Sequence, residues 1–255
     1  GTKHPRSMVQ PSSKCFPEIW HIIGPLIDTP FSGGPSTWME DIFLEVNRHG
    51  FVEETHFTIA YSPVPDPTAP RGIGGVLATV HEISEKVVSE RRIVVLRDLG
   101  SRALAEEQTA EAACAKTAEI LSKHDKDLPF VLMYLIDPHG SHARLAGIAG
   151  VEPGQAISPQ VVSLHEETRA PAWPLAQVAH TEQAQVVEGL QSRFTTVPQG
   201  PWSDPPHTAV VLPILSNRPG KPAGLLVAGV SARLTLDEQY RGFLELLTVQ
   251  VGTAI

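Results

Sequence analysis

Hydrophobic and polar positions along this chain repeat with two different periods, and the changes of period divide it. From residue 15 to 29, "CFPEIWHIIGPLIDT" sets Phe16, Ile19, Trp20, Ile23 and Ile27 on one helical face, with Pro17 suited to the first turn. After the loop "PFSGGPS" come "TWMEDIFLEVN", the turn "RHG", and "FVEETHFTIAYSPV". In the last of these, alternation puts Phe57, Ile59 and Tyr61 on one strand face and Glu54, His56 and Thr58 on the other. A Pro-rich loop over residues 63–70 leads to a third strand, "GIGGVLATVHEI". This order predicts an antiparallel meander preceded by a helix.

From Ser84 the period becomes helical, in "SEKVVSERRIVVLRDLGSRALAEEQ", with Ser84 as cap and Gly100 as a softer point. Ile83, Val87 and Val94 line one side of this helix, and Val88, Val95 and Leu99 an adjacent one. One stripe can therefore pack on a domain and the other on a partner helix, which predicts a parallel homodimer. Thr109 reads as the cap of a further helix, "AEAACAKTAEILSKH". Beyond it lie the strand "PFVLMYLID", the turn "PHGS", the strand "HARLAGIAG" and a mixed region to about Pro206. Then "PILSNRPGKPAGLLVAGVS" reads as strand, turn and strand, with Asn217, Pro219, Gly220 and Pro222 in its polar middle. An amphipathic helix runs from Leu236 to the last residue, Ile255. The predicted fold class is α+β: two mixed domains on antiparallel sheets, 1–84 and 109–255, joined by a long helix over 85–108.

Composition narrows the function. With 255 residues and 42% hydrophobic content, the chain is long enough for large cores. A formal charge of −8 argues against nucleic acid and anionic membrane surfaces as partners, because both need clustered Lys and Arg. The only cysteines, Cys15 and Cys114, form no CxxC pair, so neither a zinc knuckle nor a disulfide framework is expected, and the location predicted is the reducing cytoplasm. No apolar run reaches the roughly 20 residues of a membrane span, and the N-terminus lacks the pattern of a signal peptide.

Candidate chemistry is sparse. "DPHGSH" gathers Asp137, His139 and His142, but in what reads as an exposed hairpin turn rather than a metal scaffold. Glu54 and His56 share a strand face and could hold a cation or move protons, a salt bridge being the simpler reading. "HEETR" has Arg169 where a zincin needs its second histidine. Asp204 and His207 in "WSDPPH" could pair as base and orienter, with no nucleophile placed by sequence to complete a triad. "GIGG" at 72–75 lacks the third glycine of a dinucleotide loop and leads into a strand.

"DLPFVLMYLIDPHGSHARLAGIAGVEPGQ", with "TAVVLPILSNRPGKPAGLLVAGVSARLTLDEQYRGFLELLTVQVGTAI", resembles a GAF domain over roughly residues 109–255. The preceding "PEIWHIIGPLIDT", "WMEDIFLEVNRHGFVEETHFTIAYSPVPD" and "GIGGVLATVHEISEKV" resemble the C-terminal two thirds of a PAS domain, lacking the first two strands of its five-stranded sheet. Together they resemble the sensory region of a bacterial-type sensor histidine kinase. The resemblance implies a non-catalytic, homodimeric regulator that binds a small molecule or relays a signal to a kinase module. Neither the cyclic-nucleotide residue set nor the bilin-attachment pattern of such domains is recognisable, so no cofactor is assigned. Convergent aromatic and polar side chains are expected to mark the ligand pocket: Tyr134, Arg144, Trp173, Phe194 and His207 in the second domain, and Trp20, Phe57, Ile59 and Tyr61 on the first sheet. The alternatives are a hydrolase or transferase using Asp204 and His207, and a dimerisation scaffold whose cavities are filled by its own side chains.

Overall fold

The computed structural model describes residues 6–100, 109–165, 171–215 and 222–255. Its contacts divide the chain into two units, Gly1–Glu90 and Arg91–Ile255.

In the first unit a one-turn helix α1 (Ser12–Cys15) precedes helix α2 (Trp20–Phe31). The predicted start at Pro17 is corrected by three residues, since the chain turns through residues 17–19 before the helix begins. Pro25 and Pro30 both lie inside α2. A proline ring removes the amide that the carbonyl four residues earlier would accept. For Pro30 that carbonyl belongs to Leu26, and the Thr37 hydroxyl donates to it at 2.8 Å. Thr37 opens strand β1 (Thr37–Asn47), so this bond fastens helix to sheet where the helix ladder is broken.

Strands β2 (Val52–Pro65) and β3 (Ile73–Glu82) complete a three-stranded antiparallel sheet in the order β1-β2-β3. The expected alternation holds: Ile59 and Tyr61 are buried with Ile19, Ile23, Ile42, Leu44 and Val46, and Trp20 and Phe57 pack against them. The side chains expected on the first sheet's ligand face thus meet in one core. A bulge in β1 between Met39 and Ile42 holds Asp41 at φ 50°, a left-handed conformation uncommon outside glycine.

Helix α3 (Ser84–Leu99) crosses the boundary between the units. Val95 and Leu99 enter the second unit's core. Ile83, Val87 and Val94, expected to face a partner helix, are half-buried, whereas Ile93 is the apolar residue that α3 exposes most, at 64%. The part of the predicted connector from 101 to 108 lies outside the described residues. Thr109 caps helix α4 (Ala110–Leu121) as its sequence predicts, accepting from the Ala112 amide at 3.2 Å.

The second sheet is built from β4 (Val131–Ile136), β5 (His142–Ala149), β6 (Val161–Ser163), β7 (Gln185–Glu188), β8 (Thr208–Ile214) and β9 (Gly224–Gly229). Short helices α5 (Leu175–Thr181) and α6 (Leu190–Arg193) flank β7, and α7 (Glu238–Ala254) follows β9. The strand order is β6-β5-β4-β9-β8-β7, every neighbouring pair antiparallel. The proline-rich hairpin noted in the sequence therefore supplies β9 to the middle of the sheet, while its turn residues 216–221, including Asn217, Pro219 and Gly220, lie outside the described residues.

Alternate residues of the central strands feed two separate cores. Val131, Met133, Val210, Leu212, Leu226 and Ala228 face one with Leu121, Tyr240, Leu244 and Leu247. Leu132, Tyr134, Ala209, Val211, Leu225 and Val227 face the other, beneath residues contributed by 157–197. On the first face α7 approaches so closely that a Cβ on Gly252 would lie 2.1 Å from the Leu215 carbonyl oxygen, which leaves room only for glycine.

Candidate functional site

The second core is where the sequence predicted ligand contacts, and it brings three of the five named side chains together. Tyr134, Trp173 and Phe194 all belong to it. The Trp173 and Phe194 rings lie 5.1 Å apart, and Trp173 lies 6.1 Å from Phe130. Both polar aromatics are used internally. Trp173 Nε1 donates to the Ile157 carbonyl at 2.7 Å, and the Tyr134 hydroxyl donates to the Pro159 carbonyl at 3.0 Å. These two bonds hold one loop segment, residues 157–159, to Trp173 and to β4, and burial pushes the Tyr134 hydroxyl well above its ordinary pKa.

Arg144 and His207 do not join that core. Ala143 and Leu145 face it, so strand alternation turns Arg144, between them, to the other side, where it is exposed. His207 precedes β8 and is exposed, with Nδ1 3.0 Å from Gln191 Oε1. The convergence predicted for these two polar groups is corrected: strand alternation turns Arg144 away, and His207, outside the strand, is taken by Gln191.

Open space lies beside the aromatic group. A cleft of about 610 Å³ has Phe194 and Val187 against its interior and Gln177, Gln185, Glu188 and Arg193 among its polar lining. A smaller one of about 290 Å³ is lined by Trp173, His165, His180 and Gln177. Both share the wall formed by Pro171, Pro174 and Gln177. Arg193 Nη2 donates to the carbonyls of Pro171 and Ala172, each at 3.3 Å, and so ties that wall to α6. The larger cleft, whose lining mixes polar and apolar groups in similar measure, falls within the size range at which small molecules bind, about 300–1,000 Å³. Sequence reasoning missed Gln177, His180 and Arg193, which lie on the short helices α5 and α6 inside what reads as a mixed region; the proline-flanked Trp173 in "PAWP" was the available signal.

The remaining candidates resolve into structural roles. Asp204 and His207 form no dyad: Arg233, 4% exposed, donates to Asp204 Oδ2 at 2.5 Å and to Ser203 Oγ at 2.8 Å, while His207 takes Gln191. Asp137 organises its hairpin turn, accepting from the Ser141 amide and hydroxyl at 2.8 Å, and those bonds hold its carboxyl down at about 2. His56 lies between Asp41 at 2.5 Å and the buried Glu54 at 3.3 Å, the ion-pair reading of "EETH". Burial pushes the Cys114 thiol up to about 12, which makes it an unreactive core group. Arg169 and most of "HEETR" lie outside the described residues. Among the described residues no three His, Cys, Asp or Glu side chains are grouped to hold a metal ion.

A buried network escaped the sequence reading. Arg92 is 8% exposed and lies over the Tyr240 ring at 4.0 Å. Arg91 and Arg92 both donate to Asp127, at 2.5 and 3.3 Å. The Tyr240 hydroxyl donates to the Asp127 carbonyl and accepts from the Ser231 amide at 3.1 Å. Helices α3 and α7 are thereby joined to one aspartate.

Residues 103–255 match the family described as the GAF domain. Comparison with curated proteins finds no match. Among solved structures, the chain is similar to the GAF domain of a phosphoenolpyruvate-protein phosphotransferase from Acinetobacter, at 17% identity over 64% of this chain and 91% of that one, with a TM-score of 0.46. The corresponding domain from Coxiella burnetii gives 14% identity, 64% and 92% coverage and a TM-score of 0.46. Free methionine-R-sulfoxide reductase from Neisseria meningitidis gives 19% identity, 64% and 87% coverage and a TM-score of 0.42. No helix among the described residues is long and apolar enough to cross a membrane.

Proposed function

The chain belongs, through residues 103–255, to the GAF domain family, and from that premise we propose that it is a regulatory module which binds a small molecule and passes the binding event to a kinase module of a two-component sensor histidine kinase. The observation that carries the ligand-binding part is the cleft of about 610 Å³ against Phe194, with amide and charged groups on its lining beside an aromatic core. A ligand there would press on the wall that Arg193 holds through Pro171 and Ala172. In this reading the first unit, one helix over a three-stranded meander, is the C-terminal part of a PAS-like domain. The signal path is α3, whose Arg91 and Arg92 are held by Asp127 and Tyr240 in the ligand-binding unit.

The test is mass spectrometry of small molecules released from the purified chain, followed by titration of each released compound with tryptophan emission as readout. A compound whose emission change disappears in Trp173→Phe supports the reading. A chain that releases nothing and responds to no compound supports the scaffold instead. One observation favours that second reading: Tyr134, Trp173 and Phe194 fill the interior themselves, and both polar aromatics have internal partners.

A further inference from the structure

Four consecutive residues, Gln185 to Glu188, line the larger cleft. Successive side chains of a strand point to opposite faces, so what all four share toward the cleft is the main-chain edge of β7. β7 is the last strand on its side of the sheet, and among the described residues no strand pairs with its far side.

The inner pairing decides which groups that edge presents. The Val230 amide donates to the Thr208 carbonyl at 2.9 Å, so Thr208 turns its main-chain groups to β9, and Ala209, the next residue, turns its own to β7. Ala209 stands opposite Val187, and Val211 opposite Gln185. Val187 and Gln185 are thus engaged in the ladder, and Val186 and Glu188 each direct an amide and a carbonyl to the open side.

The wall across the cleft does not satisfy these groups. Pro171 and Pro174 carry no amide hydrogen. All four carbonyls from Pro171 to Pro174 have internal donors: Arg193 Nη2 for the first two, the Leu175 amide for Trp173 at 2.9 Å, and the Val178 amide for Pro174 at 3.1 Å. Arg193 is exposed and, among the described residues, pairs with no acid. Val187 and Phe194 share the core beneath, so alternation sends the Glu188 side chain to the opposite face of the sheet from them.

Resting on the ligand-binding reading of this cleft, we propose that its ligand is a short peptide with a free C-terminal carboxylate. The peptide lies extended along β7, exchanging main-chain hydrogen bonds with Val186 and Glu188 and placing its carboxylate at Arg193. Strands added to a sheet edge in this way draw affinity from main-chain bonds and selectivity from the pockets that receive alternate side chains. β7 is four residues long, which suits a partner of about three or four residues. Val187 and Phe194 offer one of its side chains an apolar floor.

The test is affinity-selection mass spectrometry of the full chain with tripeptide libraries of random sequence. Peptides with free carboxylates are expected to be retained roughly tenfold above the same library made as C-terminal amides, and Arg193→Gln should erase that preference. N-methylation of the peptide bonds should lower retention by about tenfold. Val186→Pro removes an outward amide and spares the ladder, as proline does at sheet edges, and should weaken retention about fivefold with unchanged circular dichroism. Equal retention of acids and amides, a preference that survives Arg193→Gln, indifference to N-methylation, or retention of no tripeptide each overturns the proposal. In the last case, a non-peptide compound released by the chain whose binding is read at Trp173 leaves the ligand-binding reading of the cleft standing, and the absence of any such compound removes both.

Discussion

The two sheets of this molecule are covered differently. In the three-stranded sheet, the Ile59 and Tyr61 side goes into a core, while Thr58, Ala60 and Ser62 between them remain partly exposed. In the six-stranded sheet, β9 is buried at every position, with Leu225 and Val227 in one core and Leu226 and Ala228 in the other. A strand covered on one side alternates in sequence, and one covered on both reads as a continuous apolar run. The difference also explains why the hairpin containing β9 carries so little chemistry. A strand with dense packing on both faces has no position where a polar reactive group could be solvated or paired. The cleft of the second unit lies instead at the edge strand β7 and the short helices beside it, where Gln177, Glu188 and Arg193 line it.

Substitutions can test that contrast, the largest effect coming first. Trp173→Ala removes a 1% exposed side chain and its bond to Ile157, and is expected to cost about 3–5 kcal/mol in chemical denaturation. A smaller loss would mean that the aromatic core is loosely filled. Next, Leu226→Ala and Ile59→Ala should both fall within the roughly 2–5 kcal/mol of large-to-small core changes. Leu226, fully buried in the larger cluster, is expected near the top of that range, and Ile59, in the smaller core of the first unit, near the bottom. Equal values would show that the two sheets are packed alike. Tyr240→Phe leaves the Ser231 amide without its acceptor and the Asp127 carbonyl without this donor, for an expected loss of about 1–3 kcal/mol. The same variant should raise hydrogen exchange at the start of α7 more than at β2.

The smallest effect is a pH dependence confined to the first unit. The bond to Glu54 and then that to Asp41 hold the His56 imidazolium above its ordinary value of 6.5, against desolvation. A raised folded-state value means the contribution is complete below that ordinary value and lost as pH rises through the folded one. Exchange in peptides covering β1 and β2 should therefore speed up, beyond its intrinsic pH dependence, as the solution is made alkaline through that range. His56→Gln should remove the excess. Persistence of the excess in that variant would assign it to another group.

Local pattern carried most of the architecture. Helical spacing with the Thr109 cap marked α4, alternation marked β2, and apolar runs bounded by turns marked β4, β8 and β9. Each of these signals is a property of neighbouring residues, which is why it survives without the fold. The start of α2 was misplaced because proline preference does not say which turn closes first. For the candidate site, residue type sufficed to nominate Tyr134, Trp173 and Phe194, since large aromatics dominate buried contacts wherever they occur.

What tertiary structure alone decided is which side chains meet. Arg144 and Tyr134 lie on paired strands, yet the register sends them to opposite faces, and a register is fixed by pairing across the sheet rather than by either strand. Nothing in the spacing around Arg92 points to Tyr240 or Asp127, which lie far along the chain and meet it only through the fold. Gln177 and Arg193 became cleft residues only when their short helices, α5 and α6, closed over the sheet. The sequence by itself determined the elements with a clear hydrophobic period, because that period acts locally, whereas β6, α5, β7 and α6, inside the mixed region, emerged only with the fold. The partners of the polar groups came from the fold, because a hydrogen bond or ion pair depends on distance in space and leaves no period in the chain.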